Sequence, residues 1–197
     1  MHVRKPLRRL VSLTAVCTAA TAVVAPANAA NAANASLATA AKLNFTQQAQ
    51  EKSNWCWAAA GNSVAAFLGK SYSQNQFCNL AFNRSMNSAC PNNQATLAND
   101  QTAFQQIGIN PGTYVYDYLY YSSVIREIDA KRPVLARIQW SSGGGHMEVL
   151  YGYDQSNSWV YWGNPWGSSP RYNWATYDYY VSNGSFSWTH SLDRINE

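Results

Sequence analysis

Residues 50–68 read QEKSNWCWAAAGNSVAAFL and pass from a polar loop into an apolar helix. Ser53 and Asn54 are residue types that cap helix N-termini, and Gly69 follows the apolar run as a stop signal. Cys56 is therefore predicted to lie in the first helical turn. Unpaired backbone N–H groups and the helix dipole favour a thiolate there. This makes Cys56 a candidate nucleophile.

Gln50 adds a second chemical group to the same segment. It lies six residues before Cys56 and carries an amide N–H donor. Held beside the backbone N–H of Cys56, this amide could bind the oxyanion that forms during acyl transfer. The segment is thus predicted to supply both a nucleophile and an oxyanion site.

The first 29 residues have the composition of a secretory signal peptide. Four basic residues precede an apolar run from Leu10 to Val24, and small residues then suit cleavage after Ala29. We expect residues 1–29 to be removed and the protein to be exported. The apolar run is too short for a good membrane span and no later segment approaches one, so no span is expected.

Removal of the signal changes the charge balance. The sequence has 14 basic and 10 acidic residues, and four of the basic ones lie in the signal. The mature chain then has no excess of either sign. A basic surface for nucleic acid or anionic membrane is not expected.

The remaining chain is predicted to hold one domain. Residues 30–42 are mostly Ala, Asn, Ser and Thr and are expected to form a disordered leader or short propeptide. Residues 43–197 suffice for one domain with a sizeable core. We expect this domain to be a monomer.

Three cysteines remain after removal of the signal, and an odd count in an exported protein leaves one thiol unpaired. Cys78 and Cys90 close a short loop in polar, Asn-rich sequence, whereas Cys56 begins a helix. A Cys78–Cys90 disulfide is therefore predicted. By the chain-entropy model such a loop contributes roughly 3 kcal/mol.

The fold class is predicted from a change of periodicity at Pro133. Before it, further helices are predicted from Ser73, from Thr96 to Ile107, and from Ser122 or Ser123. After it, strands are predicted at 134–140, 146–153, 159–163, 172–180 and 185–192. Asn183-Gly184 indicates a hairpin between the last two. The pattern predicts an α+β fold, with a helical half packed against a C-terminal antiparallel sheet.

A cysteine nucleophile needs a base, and the mature chain has two histidines. His146 follows three glycines at the start of an apolar strand, which can place its ring at the end of the sheet facing Cys56. His190 lies in the last strand with no partner signal. His146 is therefore the predicted base and His190 a structural or exposed residue.

The base needs an orienting group, and the candidates are Asp154 and Asn164. Asp154 lies eight residues further along the strand, roughly 26 Å away at about 3.3 Å per residue, and cannot reach His146. A turn near residue 155 would return Asn164 opposite His146. Its amide oxygen could accept a hydrogen bond from one ring nitrogen while the other faces Cys56.

Two further features have more than one interpretation. Glu148 shares the strand face of His146; it could pair with Arg137 on the preceding strand, or it could tune the site. The aromatic stretches 114–121 and 159–188 could form a binding surface, but in a chain this rich in Tyr and Trp, core and sheet packing is the preferred interpretation.

Taken in order, these motifs resemble those of the papain-like cysteine proteases, especially the staphopains and short bacterial effector proteases. The motif positions are Gln50, Cys56-Trp57-Ala58, Gly145-His146 and Asn164-Pro165-Trp166-Gly167. The resemblance implies a papain-like fold and hydrolysis of peptide bonds in protein or peptide substrates through a thioester acyl-enzyme. Cys56 would attack, His146 would be base and then acid, Asn164 would orient His146, and Gln50 would bind the oxyanion. No metal or organic cofactor is implied.

Two other functions use the same sequence features. The same residues could perform transpeptidation or amide transfer instead of hydrolysis. From a different class, the chain could be a non-catalytic binding domain of the same fold. The complete Gln-Cys-His-Asn set favours an enzyme, and reaction of Cys56 with a thiol reagent would discriminate the two classes.

Overall fold

The structure, a computed structural model, describes residues 39–196 of the chain. The signal peptide predicted at 1–29 and residues 30–38 of the predicted leader lie outside the described residues. The described residues belong to one compact unit. Within the described range, no helix is both long enough and apolar enough to cross a membrane.

Helices dominate the first part of the described chain. They are α1 (Cys56–Phe67), α2 (Gln74–Ala81), α3 (Leu97–Gln106) and α4 (Tyr121–Asp129). A short fifth helix, α5 (Tyr177–Val181), follows later in the chain. The Ser73 hydroxyl accepts a hydrogen bond from the Gln76 N–H, and the Gln76 side chain accepts one from the Ser73 N–H, which forms the predicted capping box. Gly69 follows α1 with φ +78°, a conformation that glycine adopts without steric cost.

One antiparallel sheet forms the second part. Its strands are β1 (Ala40–Lys42), β2 (Thr113–Val115), β3 (Val134–Trp140), β4 (Gly145–Asp154), β5 (Trp159–Gly163), β6 (Tyr172–Thr176) and β7 (Phe186–Asp193). Their order is β2-β7-β3-β4-β5-β6, with β1 paired to β4. The predicted α+β class, with helices first and an antiparallel sheet after them, is confirmed.

The predicted turn at Asn183-Gly184 forms, with an antiparallel bridge between Ser182 and Ser187, but the predicted pairing of strands 172–180 and 185–192 across it is wrong. The strand predicted at 172–180 ends at Thr176, and the chain turns into α5 because Tyr180 is fully buried there. β7 then pairs with β3 and β2 rather than with β6. The Asn183 side chain accepts hydrogen bonds from the N–H groups of Ser185 and Phe186, so this turn joins a helix to a strand.

The predicted leader is partly ordered, because residues 40–42 form β1. Ala40 pairs with Asp154 and Lys42 with Gly152. This segment has few large apolar side chains, but the backbone hydrogen bonds between strands do not require them. The Lys42 ammonium also lies 3.7 Å from the centre of the Tyr161 ring, a cation–π contact that holds the strand. The folded region therefore begins before Leu43.

Helix α1 lies at the centre of the core. It contacts β4, α2 and α3, and residues 57–65 are all buried. Small side chains permit this close packing: a methyl group added at Gly61 would lie 2.7 Å from the Phe77 ring. The start of α1 is thereby fixed against the start of β4.

A disulfide ties the loop that supports the start of α1. Cys78 and Cys90 are bonded with a Cα–Cα distance of 6.1 Å, and Cys56 is free. Directly after Cys90, the Pro91 carbonyl accepts a hydrogen bond from the Trp55 indole N–H at 3.0 Å. The bond thus constrains a loop that contacts the residue preceding Cys56.

Two carboxyl groups are buried without a charged partner. Glu148 does not pair with Arg137, as one interpretation of the sequence predicted; its Oε2 accepts a hydrogen bond of 3.0 Å from the Tyr180 hydroxyl. Burial raises the pKa of Glu148 to about 8. Burial also raises the pKa of Asp100 well above its ordinary value, and both its oxygens lack a hydrogen-bond partner. A pKa of about 8 leaves Glu148 mostly protonated at neutral pH.

Glu148 is expected to make the fold less stable as pH rises. An unfolded Glu148 ionises near 4.5 and the folded one near 8, so between these values the unfolded chain binds fewer protons. Stability then falls by about 1.4 kcal/mol per pH unit for one such group. Glu148→Gln, which can still accept the Tyr180 hydrogen bond, should reduce this slope in urea unfolding measured across that range. An unchanged slope would contradict the assignment.

Candidate active site

A cavity of about 410 Å³ lies where the start of α1 meets the start of β4. Cys56 contributes from the helix and His146 from the strand. The other lining residues are Ser53, Asn54, Trp57, Gln94, Ala95, Thr96, Arg137, Trp140, Gly144, Gly145, Met147 and Trp166. The two residues predicted as nucleophile and base therefore face one cavity.

Cys56 is the first residue of α1 and is half-buried. The predicted caps Ser53 and Asn54 lie before the N-cap position, which is Trp55, and no side chain there caps the helix. The first-turn N–H groups thus remain available to the site.

Burial raises the pKa of the Cys56 thiol, which is the reverse of the depressed pKa expected from the helix start. Hydrogen bonds from the backbone N–H groups of Met147 and Trp57 lower it in part. The first of these contacts also places the thiol beside the residue that follows His146. A thiol with a raised pKa needs a neighbouring base to become a nucleophile.

His146 is 1% exposed and its ring is fixed on several sides. The Trp140 ring stacks on it with centroids 6.0 Å apart, and the Trp166 ring meets it edge-on at 5.2 Å. Its Nε2 lies 2.9 Å from Asn164 Oδ1. Burial lowers the pKa of His146, and the hydrogen bond with Asn164 offsets part of this. The ring is therefore neutral at neutral pH.

The tautomer of His146 follows from its neighbours. The backbone N–H of Trp166 donates to Asn164 Oδ1 at 2.8 Å, which identifies that atom as an acceptor. Nε2 must therefore carry the proton that is donated to Asn164. Nδ1 is buried and has no hydrogen-bond partner within the described residues, so its lone pair is available to accept a proton.

Asn164 contacts His146 as predicted, but the two residues are not paired in the strand register that the sequence predicted. Val149 pairs with Gly163, and this register would place Asn164 level with Glu148, two residues from His146. The register shifts between Leu150 and Gly152, where the strand is irregular. After β5, the backbone N–H of Asn164 donates a hydrogen bond to the Arg171 carbonyl at 2.9 Å, so Asn164 is held against the residue that precedes β6. The contact with His146 forms past the end of the paired strand.

Gln50 lies beside the site, but its amide is directed elsewhere. Its backbone N–H donates to Pro165 O at 2.8 Å, next to Asn164. The side-chain NH₂ donates to the carbonyls of Lys52 and Ser53, each at 2.9 Å. Gln50 does not line the cavity. To bind an oxyanion its amide would have to rotate away from these two carbonyls.

His190 lies outside the cavity. It pairs with Arg137 across β3 and β7, and its Nδ1 lies 2.9 Å from the Thr189 hydroxyl. Its ring packs against Tyr114 and Tyr116, with centroids 5.9 and 5.6 Å away. This surrounding is that of a packed structural histidine.

The aromatic stretches divide between core and surface. Tyr153 and Tyr180 are fully buried, whereas Tyr116 and Trp174 are 78% and 60% exposed. Sheet packing therefore accounts for only part of them.

Sequence reasoning missed two residues of the cavity wall, Trp140 and Arg137. A register argument could have found Arg137, because it pairs with Met147, the residue after His146. Trp140 stacks on His146 from the end of β3 and carried no motif. No cluster of three or more His, Cys, Asp or Glu side chains in the described part of the chain could hold a metal ion.

Comparisons with known proteins give a family and a fold. The family model described as papain-like cysteine protease AvrRpt2 matches residues 38–183. The peptidase domain of Streptococcus ComA, a bi-functional ABC transporter involved in quorum sensing, is similar with a TM-score of 0.59 and 16% identity, over 77% of this chain and 98% of that one. Xylellain, a cysteine protease from Xylella fastidiosa, has a TM-score of 0.49 and 14% identity, over 79% and 85%. No curated protein matches the chain.

Proposed function

We propose a specific reaction for this chain, which belongs to the family of papain-like cysteine proteases: it hydrolyses peptide bonds through a thioester on Cys56. The observation that supports this most is the state of His146. Its Nε2 proton is held by Asn164, and its buried Nδ1 has a free lone pair in the cavity that Cys56 also lines. A neutral imidazole that faces a protonated thiol can take the thiol proton as a general base.

The reaction begins with transfer of the thiol proton to His146 Nδ1 as Cys56 Sγ attacks the carbonyl carbon. The tetrahedral intermediate collapses when the imidazolium gives that proton to the leaving amine, and a thioester remains. His146 then takes a proton from water, and the resulting hydroxide attacks the thioester. Collapse of the second intermediate releases a carboxylic acid and restores the thiol.

Asn164 acts on His146 and not on the substrate in this proposal. Its oxygen accepts the Nε2–H bond in every step, so it holds the tautomer and stabilises the imidazolium as it forms. Trp140 and Trp166 restrict rotation of the ring. The geometry is therefore set before substrate binds.

The oxyanion would be bound by the Cys56 N–H at the start of α1, with the Gln50 amide as second donor after rotation. Gln50→Ala should lower the chemical step by about 10²–10³ with little change in substrate binding. Gln74→Ala is the matched control, since Gln74 supports the same loop by donating to Ala49 O and accepting from the Glu51 N–H. If both variants lose rate only in proportion to lost thermal stability, Gln50 is a loop support and not an oxyanion donor.

We also propose that the protein is exported as a monomer without residues 1–29. The n-region, apolar run and small-residue site support cleavage after Ala29. A disulfide is usual in an oxidising compartment, and Cys78–Cys90 is one. The mass of protein collected outside the cell should match a chain that begins at residue 30 or later. Protein that stays in the cell with Met1 attached would contradict export.

The proposed reaction is tested by incubating the protein with a mixture of blocked peptides, with and without an added amine. Hydrolysis predicts paired fragments with a new carboxyl group and a new amino group. Fragments that carry the added amine in place of water would show amide transfer as the main reaction. If the peptides are bound but none is cut, the domain is a non-catalytic binder.

A further inference from the structure

Arg137 is a fixed cation in the wall of the cavity. Its Nη1 donates to the Thr189 hydroxyl and its Nη2 to Gln139 Oε1, both at 2.8 Å. The guanidinium also lies against Gly145: a methyl group added there would be 2.6 Å from Arg137 Nη2. Only a glycine before His146 leaves room for this placement. The side chain is therefore held beside the candidate base.

Among residues 39–196, no carboxylate forms an ion pair with Arg137. In the part of the chain that the structure describes, the ion pairs are Arg132 with Glu127 and Arg194 with Asp193. None of the described residues that line the cavity is an Asp or a Glu. The contacts with Thr189 and Gln139 are to neutral groups, and within the described residues they leave other guanidinium N–H groups without an acceptor. A half-buried arginine in this state lacks the anion that it is best suited to bind.

Arg137 lies close to the place where the substrate bond would be cut. It pairs with Met147 across β3 and β4, and directly opposite residues of a pair project from the same face of a sheet. The Met147 N–H contacts the Cys56 thiol, which attacks the substrate carbonyl. A group on the substrate that reaches Arg137 is therefore only a few residues from the bond that is cut.

We propose that Arg137 binds a carboxylate of the substrate, so that the enzyme prefers peptides with an acidic group close to the cleavage site. This inference rests on the proposed peptidase function and assigns its substrate class. The carboxylate can come from an Asp or Glu side chain or from the free C-terminus of a short peptide. A planar guanidinium can hold either one with two parallel hydrogen bonds.

The test uses peptide pairs that differ only in Glu against Gln at each position around the cleaved bond, with both termini blocked. Wild type should cut the best Glu peptide with a kcat/KM about tenfold or more above its Gln partner, as a charge-assisted hydrogen bond predicts. Arg137→Met should lose this preference, and Arg137→Lys should keep part of it. Arg126→Met, on the exposed face of α4, is the matched control and should keep all of it.

A second arm separates the two sources of the carboxylate. Peptides with Gln at every position are offered with a free or an amidated C-terminus. A preference for the free form that Arg137→Met removes assigns the site to the chain end, and a preference for Glu in the blocked set assigns it to a side chain. Equal rates in both arms for wild type, or a preference that survives in Arg137→Met, would overturn the proposal.

Failure of the proposed peptidase function can be distinguished from failure of the Arg137 proposal. If wild type cuts none of the peptides, their binding to Cys56→Ala protein is measured by calorimetry, where the Glu or free-acid form should bind about tenfold more tightly and Arg137→Met should abolish the difference. Equal binding in that assay would overturn the inference on its own. Thermal melts show whether Arg137→Met is folded, and Arg137→Lys keeps the test valid if it is not.

Discussion

Cys56→Ala is expected to reduce peptide hydrolysis to the background rate, a loss of roughly a millionfold, as removal of the nucleophile does in other acyl-transfer enzymes. Cys56 is the free cysteine of the described chain and it lines the cavity with His146. Alanine is a good helix former, so α1 should still begin at the same residue. Initial rates on a cleavable peptide and thermal melts of both proteins measure the two expectations.

Thermal stability is the control measurement for Cys56→Ala. Wild type and variant should melt within a few degrees of one another, because a single sulfur atom is removed from a half-buried site. Near-normal turnover by the variant would end the proposal that Cys56 is the nucleophile. A variant that has lost its fold would be replaced by Cys56→Ser, which keeps nearly the same volume.

His146→Ala is expected to be almost as inactive, with a loss of about 10⁴-fold or more. Burial raises the pKa of the Cys56 thiol, so without a base little thiolate forms at neutral pH. The variant should therefore also react slowly with iodoacetamide until the solution is strongly alkaline. This second measurement reports on activation of the thiol and is independent of substrate binding.

His190→Ala is the matched control for His146→Ala. The His190 ring packs on Tyr114 and Tyr116 outside the cavity, so its loss should cost some stability and leave the rate close to wild type. The opposite pattern, an inactive His190 variant and an active His146 variant, would show that the base has been assigned to the wrong strand.

Features that depend on short stretches of chain could be predicted from the sequence. The apolar run after Cys56 ends at Gly69, Ser73 and Gln76 form a capping box, and the alternation after Pro133 gives β3, because each depends on neighbours a few residues away. His146 could be assigned because a strand that begins after three glycines has only one histidine at its start. These local signals were enough for the fold class and for two of the proposed site residues.

Features that depend on distant partners could not be predicted. Composition does not show that Tyr180 is buried against Glu148, and this burial replaces the end of a predicted strand by α5. The turn after β4 is centred later than predicted and an irregularity near Gly152 changes the register by one residue, yet Asn164 still meets His146 because the chain turns past β5. The helix start at Cys56 suggested a lowered thiol pKa, but burial in the folded protein raises it, and the segment alone does not show that burial.

If Cys56 is the nucleophile, its sulfur carries the acyl group of the thioester intermediate. Detection of this acyl group on Cys56 is therefore the most direct test. Wild type is mixed with a reactive peptide ester, quenched in acid within the first turnover, digested and mapped by mass spectrometry. We expect one acyl group as a thioester on the fragment that contains Cys56, and none in Cys56→Ala. An acyl group on another residue, or active protein in which Cys56 is bonded to Cys78 or Cys90, would contradict it.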